Sequence, residues 1–159
     1  MKKKDSHDDE IYSSDVFRIL ADYEISRSTR YPTPLSLLQI EMTPVASNEN
    51  ALQAASAVFI SALNSHLRSV DITSAAGSEF RVLLPATNSA GAGTVCERLI
   101  SIFRNKFETD FGAVAFSIQI GAASHNGGPS LSTEGMFQNA EAALKQSKLK
   151  GSNTYILIS

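Results

Sequence analysis

The stretch Leu35-Ser-Leu-Leu-Gln-Ile-Glu-Met42 decides the fold of this chain. Its side chains alternate between two sets, Leu38, Ile40 and Met42 on one side and Leu37, Gln39 and Glu41 on the other. A period of two residues is typical of a β-strand, whose successive side chains point to opposite faces of a sheet. Because both sets contain large aliphatic residues, we expect this strand to lie near the middle of a sheet.

Helical and strand patterns alternate on both sides of this segment. Helices are predicted at residues 14–31, 49–68, 88–107 and 132–151, and further strands at 70–74, 79–85, 114–120 and 155–158. The first helix carries an apolar stripe made of Val16, Ile19, Leu20, Tyr23 and Ile25. Part of this stripe is expected to pack on its own domain, and the remainder to be available to a partner. The order after this helix is β-α-β-β-α-β-α-β. It predicts an α+β domain of ferredoxin-like or palm type (βαββαβ), with a central, mainly antiparallel sheet of about five strands and helices on one face.

Composition limits the classes of function. The 159 residues are 43% hydrophobic and 19% charged, which is typical of one globular domain. A net charge of −2 gives no electrostatic footprint for duplex nucleic acid, so no nucleic-acid partner is expected. No apolar run approaches the roughly 20 residues of a membrane span, and no secretory signal is present, so the cytoplasm is the expected location.

Residues 1–10 are expected to be a charged tail or a linker remnant, and residues 11–159 the domain. Cys96, the single cysteine, is expected to be a buried structural thiol.

Four segments, in order, resemble the GGDEF family of diguanylate cyclases. They are Leu20–Tyr31 with Pro34–Met42, Gly77-Ser-Glu-Phe80 with Val82-Leu-Leu-Pro85, Ile118-Gln-Ile-Gly-Ala122, and Ala140-Glu-Ala-Ala-Leu144 with Lys148 and Gly151-Ser-Asn153. Each segment is short, but four of them in the family's order make the resemblance specific. The resemblance implies a nucleotide-cyclase fold and a role in cyclic di-GMP signalling.

The chain departs from the family's pattern where catalysis is implied. The family has Asp-x-Asp at the end of the first strand, with the first carboxylate binding the metal, and the matching residues here are Glu41 and Thr43. A metal-binding carboxylate of the signature loop is replaced by Ser78, although its neighbour Glu79 matches the family. We find no counterparts of the Asn and Asp that bind guanine. Since magnesium is usually held by one or two carboxylates plus phosphates, Glu41 and Glu79 are interpreted as vestigial ligands. The sequence thus predicts no enzyme and no cofactor, with magnesium bound only if a nucleotide still binds.

The resemblance also implies two ligand contacts. Arg68-Ser-Val-Asp71 matches the Arg-x-x-Asp with which many family members bind cyclic di-GMP, although the family's spacing to the signature loop is one residue longer. An alternative interpretation of this tetrapeptide is a solvated helix end with a local ion pair. Lys148 matches a phosphate-contacting lysine, while its usual arginine companion is replaced by Ser152.

Three functions therefore remain open. The first is a catalytically inactive regulatory or protein-interaction module, which would pair with a second copy or another signalling domain. That contact is expected through the first helix or through the hairpin at residues 75–80. The second is a sensor that binds cyclic di-GMP or GTP without turnover, and the third is a weakly active diguanylate cyclase.

Overall fold

The computed structural model describes residues 11–159, so the predicted tail at residues 1–10 lies outside the described residues. The described elements are helix α1 (Ser14–Arg30), strand β1 (Leu35–Ala46), α2 (Glu49–Ser65), β2 (Ile72–Ala76), β3 (Glu79–Pro85), α3 (Ser89–Phe103), β4 (Phe107–Thr109), β5 (Gly112–His125), α4 (Thr133–Lys150) and β6 (Thr154–Ile158). The predicted α+β class is confirmed.

The strands form one six-stranded sheet in the order β2-β3-β1-β5-β4, with β6 also beside β5. β1 pairs antiparallel with both β3 and β5, which confirms its predicted place in the middle. Among the strands of residues 11–159, only β6 runs parallel to its neighbour, so the sheet is mainly antiparallel, as predicted. Strand β4 was not predicted. The third helix was expected to continue to residue 107, but α3 ends at Phe103 and β4 begins at Phe107. Phe107 continues the helical spacing of Phe103, and this spacing hid the change of structure.

The four helices cover both faces of the sheet, which corrects the prediction of helices on one face. Helices α2 and α3 pack with the side of β1 that carries Leu38 and Ile40. Helices α1 and α4 pack with the opposite side, which carries Leu37. This arrangement follows from large aliphatic residues on both sides of β1. Within residues 11–159, no helix is both long enough and apolar enough to cross a membrane.

Helix α1 buries only part of its apolar stripe, as expected. Its buried residues are Phe17, Ala21, Ile25 and Ser28. Val16, Ile19 and Tyr23 of the stripe are 41%, 67% and 68% exposed. Ala21 and Ser28 are small, so the true inward face carries a weaker apolar pattern than the outward one.

Cys96 is fully buried on α3, as predicted. Burial raises the pKa of its thiol to about 12. Cys96 packs in the apolar core between α2, α3 and the sheet, and its raised pKa keeps it in the thiol form.

Candidate functional site

The first candidate site lies where β1 passes the hairpin between β2 and β3. β1 continues beyond Met42 to Ala46, so Glu41 and Thr43 lie within the strand and on the same side of it. The hairpin turns at Gly77-Ser78, where Gly77 has the positive φ (+64°) that glycine adopts without strain. The N–H of Met42 donates to the carbonyl of Ser78 at 3.0 Å. The turn is therefore fastened to β1 through its backbone.

Glu41 and Glu79 are direct partners on the adjacent antiparallel strands β1 and β3. Side chains of such partners share a face, with Cβ atoms about 4.5–5.5 Å apart. Nε2 of Gln39 donates to Oε1 of Glu79 at 3.3 Å. Two neighbouring carboxylates repel each other, so this patch favours a positive charge beside it.

Lys148 supplies that positive charge from α4. Its ammonium forms an ion pair with Oε1 of Glu41. Helix α4 comes this close because Gly121 of β5 has no side chain. A Cβ atom there would lie 2.1 Å from the backbone nitrogen of Leu144. The structure thus brings together Glu41, Glu79 and Lys148, while the predicted contact of Lys148 with a phosphate stays a prediction.

The residues around Glu41 do not fit a preformed divalent-cation site. Magnesium demands a near-octahedral set of oxygen ligands, usually one or two carboxylates completed by phosphates and water. Among residues 11–159, no cluster of three or more His, Cys, Asp or Glu side chains is arranged to hold an ion. Thr43 offers a neutral, exposed hydroxyl, and Glu41 already has an ammonium partner. The donor set present therefore suits Lys148 better than a metal ion.

Arg68 and Asp71 lie at the other end of β1 and β3. Since α2 ends at Ser65 and not at residue 68, the pair occupies the turn before β2. The buried carboxylate of Asp71 accepts from the backbone N–H of Arg68 at 2.8 Å and from its Nε and Nη2 at 3.1 and 2.7 Å. Nη2 also donates to the Pro85 carbonyl (2.8 Å) and to Oγ1 of Thr87 (3.0 Å). The local ion pair of the alternative interpretation is present, but its carboxylate is buried and not solvated.

Arg68 borders an open cleft of about 470 Å³. Its side chain is 51% exposed. A second arginine, Arg98 of α3, lines the same cleft and donates from Nη2 to the His66 carbonyl at 3.1 Å. The cleft also contains the start of α3, where Oδ1 of Asn88 caps the helix by accepting from the N–H of Gly91 at 2.9 Å. Two guanidinium groups and a helix N-terminus together favour an anionic ligand.

Sequence reasoning missed Arg98. It lies one helical turn after Thr94, and both line the cleft, but this becomes visible only once α3 is placed beside Arg68. The two candidate sites remain separate. Five residues of β1 lie between the Leu35–Pro85 and Glu41–Glu79 pairs, so the two pairs are six residue steps apart, roughly 20 Å of strand.

The fold is shared with solved structures of low sequence identity. The diguanylate cyclase SiaD of Pseudomonas aeruginosa, solved with its activator SiaC, has a TM-score of 0.77 and 19% identity, covering 99% of this chain and 61% of that one. An active GGEEF domain of a diguanylate cyclase from Vibrio cholerae has a TM-score of 0.76 and 14% identity, covering 94% of this chain and 99% of that one. The GGDEF domain of DgcB from Caulobacter crescentus, in complex with c-di-GMP, has a TM-score of 0.72 and 16% identity, covering 99% of this chain and 96% of that one. The nucleotide-cyclase fold is therefore confirmed. None of the curated proteins compared with the chain matches it.

The family comparison corrects one prediction. A family model described as diguanylate cyclase, GGDEF domain, matches residues 52–154, more than half of the chain. The prediction that the chain is not an enzyme is wrong, because this is a family of cyclases. That prediction rested on Thr43 and Ser78, whereas the fold keeps the carboxylates of Glu41 and Glu79 side by side and adds Lys148 to them. The chain belongs to the GGDEF family of diguanylate cyclases.

Proposed function

We propose that this GGDEF domain has a regulatory role in cyclic di-GMP signalling and binds cyclic di-GMP in the cleft beside Arg68. The observation that carries the proposal is the buried carboxylate of Asp71, which holds a half-exposed guanidinium at the edge of a cleft shared with Arg98. DgcB, which has the same fold, was solved in complex with c-di-GMP.

Arg68 keeps donor capacity for such a ligand. A guanidinium has five N–H donors in a fixed planar fork. Nε and Nη2 are engaged by Asp71, Pro85 and Thr87. No partner for Nη1 is found anywhere in residues 11–159. Its two N–H groups are therefore left for a phosphate oxygen or the edge of a guanine base, both of which arginine binds well.

The charges of the cleft match those of the ligand. Cyclic di-GMP carries two phosphodiester charges, and Arg68 and Arg98 contribute one positive charge each. The carboxylate of Asp71 offsets one of these positive charges, so the cleft keeps a net positive charge that favours an anionic ligand.

We expect Arg68→Ala to weaken cyclic di-GMP binding by about 1.5–3 kcal/mol, the range for hydrogen bonds to a charged group. Isothermal titration calorimetry of the folded variant measures this loss. Arg104→Ala is the matched control, because Arg104 is an exposed arginine at the C-terminal end of α3 and does not line the cleft. Unchanged affinity in Arg68→Ala, or no binding by the wild-type chain, would contradict the proposal.

A second proposal concerns partners, and the outward face of α1 supports it. Val16, Ile19 and Tyr23 form an exposed apolar row with the spacing of positions a, d and a of a helical heptad. The alternative surface, the hairpin at residues 75–80, exposes only Ala76, Gly77 and Ser78 at its tip. We therefore propose that two copies of this chain associate through α1.

The charges flanking this row favour a parallel arrangement of the two α1 helices. Asp22 occupies a g position and Arg27 the following e position of the same heptad frame. In a parallel pair, g of one helix faces e of the other, so Asp22 faces Arg27 of the second copy. An antiparallel pair would instead place Asp22 near its own counterpart, where like charges repel.

We expect Ile19→Glu to abolish self-association, because it places a charge in the centre of the apolar row. Analytical ultracentrifugation from micromolar to millimolar concentration should show a concentration-dependent dimer for the wild type and a monomer for the variant. Leu52→Glu is the control, since Leu52 is a partly exposed leucine on α2, outside this row. A wild-type monomer throughout, or an equally dimeric Ile19→Glu, would exclude this interface.

A further inference from the structure

The ion pair between Lys148 and Glu41 determines which cation the first site holds. We infer that Lys148 and a divalent cation compete for Glu41, and that Lys148 takes the cation's place in the free domain. This inference is independent of cyclic di-GMP binding near Arg68, because Glu41 lies six residue steps along β1 from the Leu35–Pro85 pair, roughly 20 Å away.

The local charges support this competition. Glu41 and Glu79 place two carboxylates next to each other, and the only hydrogen bond to Glu79 within residues 11–159 comes from the neutral amide of Gln39. The ammonium of Lys148 forms an ion pair with Glu41 and offsets one of the two negative charges of the patch. A metal ion bound to Glu41 would meet this ammonium at the same carboxylate, so the two cations repel each other and exclude each other from the site.

The backbone of α4 holds Lys148 in position. Ser147, its neighbour, is fully buried, and its Oγ donates to the carbonyl of Thr154 at 2.9 Å. Oγ1 of Thr154 in turn donates to the carbonyl of Ser147 at 3.0 Å. The last turn of α4 is therefore fixed against β6. Only the side chain of Lys148 has to be ordered, which keeps the entropic cost of the pair small.

Removal of the ammonium should open a latent cation site. Without Lys148, Glu41 and Glu79 become two unpaired carboxylates on adjacent strands, and carboxylate oxygens are the donors that manganese and magnesium prefer. The hydroxyl of Thr43 lies on the same side of β1 and adds one more oxygen.

The test is a titration of the domain with Mn²⁺ alone, followed by electron paramagnetic resonance. We expect weak binding by the wild type and binding about tenfold tighter or better in Lys148→Met, because two carboxylates then face the ion without a competing charge. Lys145→Met is the matched control, because Lys145 is an exposed lysine on the same helix and forms no ion pair within residues 11–159. It should bind Mn²⁺ as the wild type does.

The double variant Glu41→Gln with Lys148→Met should return to wild-type affinity, because it loses the carboxylate that the ion uses. Wild-type binding as tight as that of Lys148→Met would overturn the inference, as would a gain that persists in the double variant. The thermal midpoint of each variant reports whether it is folded. Lys148→Gln repeats the test with a polar side chain if the methionine variant does not fold.

Discussion

Gly121→Ala is expected to lower the free energy of unfolding by about 3 kcal/mol or more, the upper range for overpacked interiors. The added Cβ would lie 2.1 Å from the nitrogen of Leu144, 2.3 Å from the carbonyl oxygen of Ala140 and 2.6 Å from the Cα of Leu144. These are backbone atoms of α4, so no side-chain rotation relieves the clash. The whole helix has to move away from β5.

Urea denaturation followed by circular dichroism measures this loss, and Gly93→Ala is its control. Gly93 lies within α3, where an added Cβ would meet only the hydroxyl of Tyr155 at 3.6 Å, an ordinary contact distance. Alanine is about 1 kcal/mol more favourable than glycine inside a helix, so Gly93→Ala should be neutral or stabilising. Equal effects of the two substitutions would contradict the role given to Gly121. A displaced α4 also carries Lys148 away from Glu41, so Gly121→Ala should bind Mn²⁺ more tightly than the wild type.

The sequence predicted the central part of the fold because its pattern there has one physical solution. Large aliphatic residues on both sides of residues 35–42 suit only a strand that is covered on both faces, and β1 is such a strand. The pattern of helix α1 did not show which part of its apolar stripe the domain would bury. Val16, Ile19 and Tyr23 form the stronger apolar row, and the domain leaves that row exposed. Amphipathic pattern alone does not distinguish a face that packs within the domain from one available to a partner.

The candidate sites depended more on resemblance than on pattern. The motif match gave Glu41 and Glu79 as vestigial metal ligands and Lys148 as a phosphate contact, and in the structure Glu41 lies beside both Glu79 and Lys148. The ion pair between Glu41 and Lys148 was not predicted, because it depends on how closely α4 packs on the sheet at Gly121. Arg98 was missed for a similar reason. It comes close to Arg68 only because α3 packs beside the turn after α2.

Phe59→Ala is expected to lower the free energy of unfolding by about 4 kcal/mol, within the range for large-to-small changes at buried phenylalanine. Phe59 is fully buried on α2, at the centre of an aromatic cluster. Its ring centroid lies 4.3 Å from that of Phe103, 4.7 Å from that of Phe80 and 5.3 Å from that of Phe116. One truncation therefore removes contacts of α2 with α3, β3 and β5 and leaves a cavity between them.

Chemical denaturation again measures this effect, with Leu52→Ala as the control on the same helix. Leu52 is 40% exposed, so its truncation leaves little cavity and should change stability by less than about 1 kcal/mol. Phe59→Leu, which fills part of the space, should fall between the two. Similar losses for Phe59→Ala and Leu52→Ala would show that the cluster does not anchor α2.

Because α2 leads directly into the turn of Arg68 and Asp71, calorimetry on folded Phe59→Ala also tests whether that anchoring matters for the ligand. We expect unchanged cyclic di-GMP affinity, since the bonds that hold Arg68 lie within the turn and on Pro85 and Thr87.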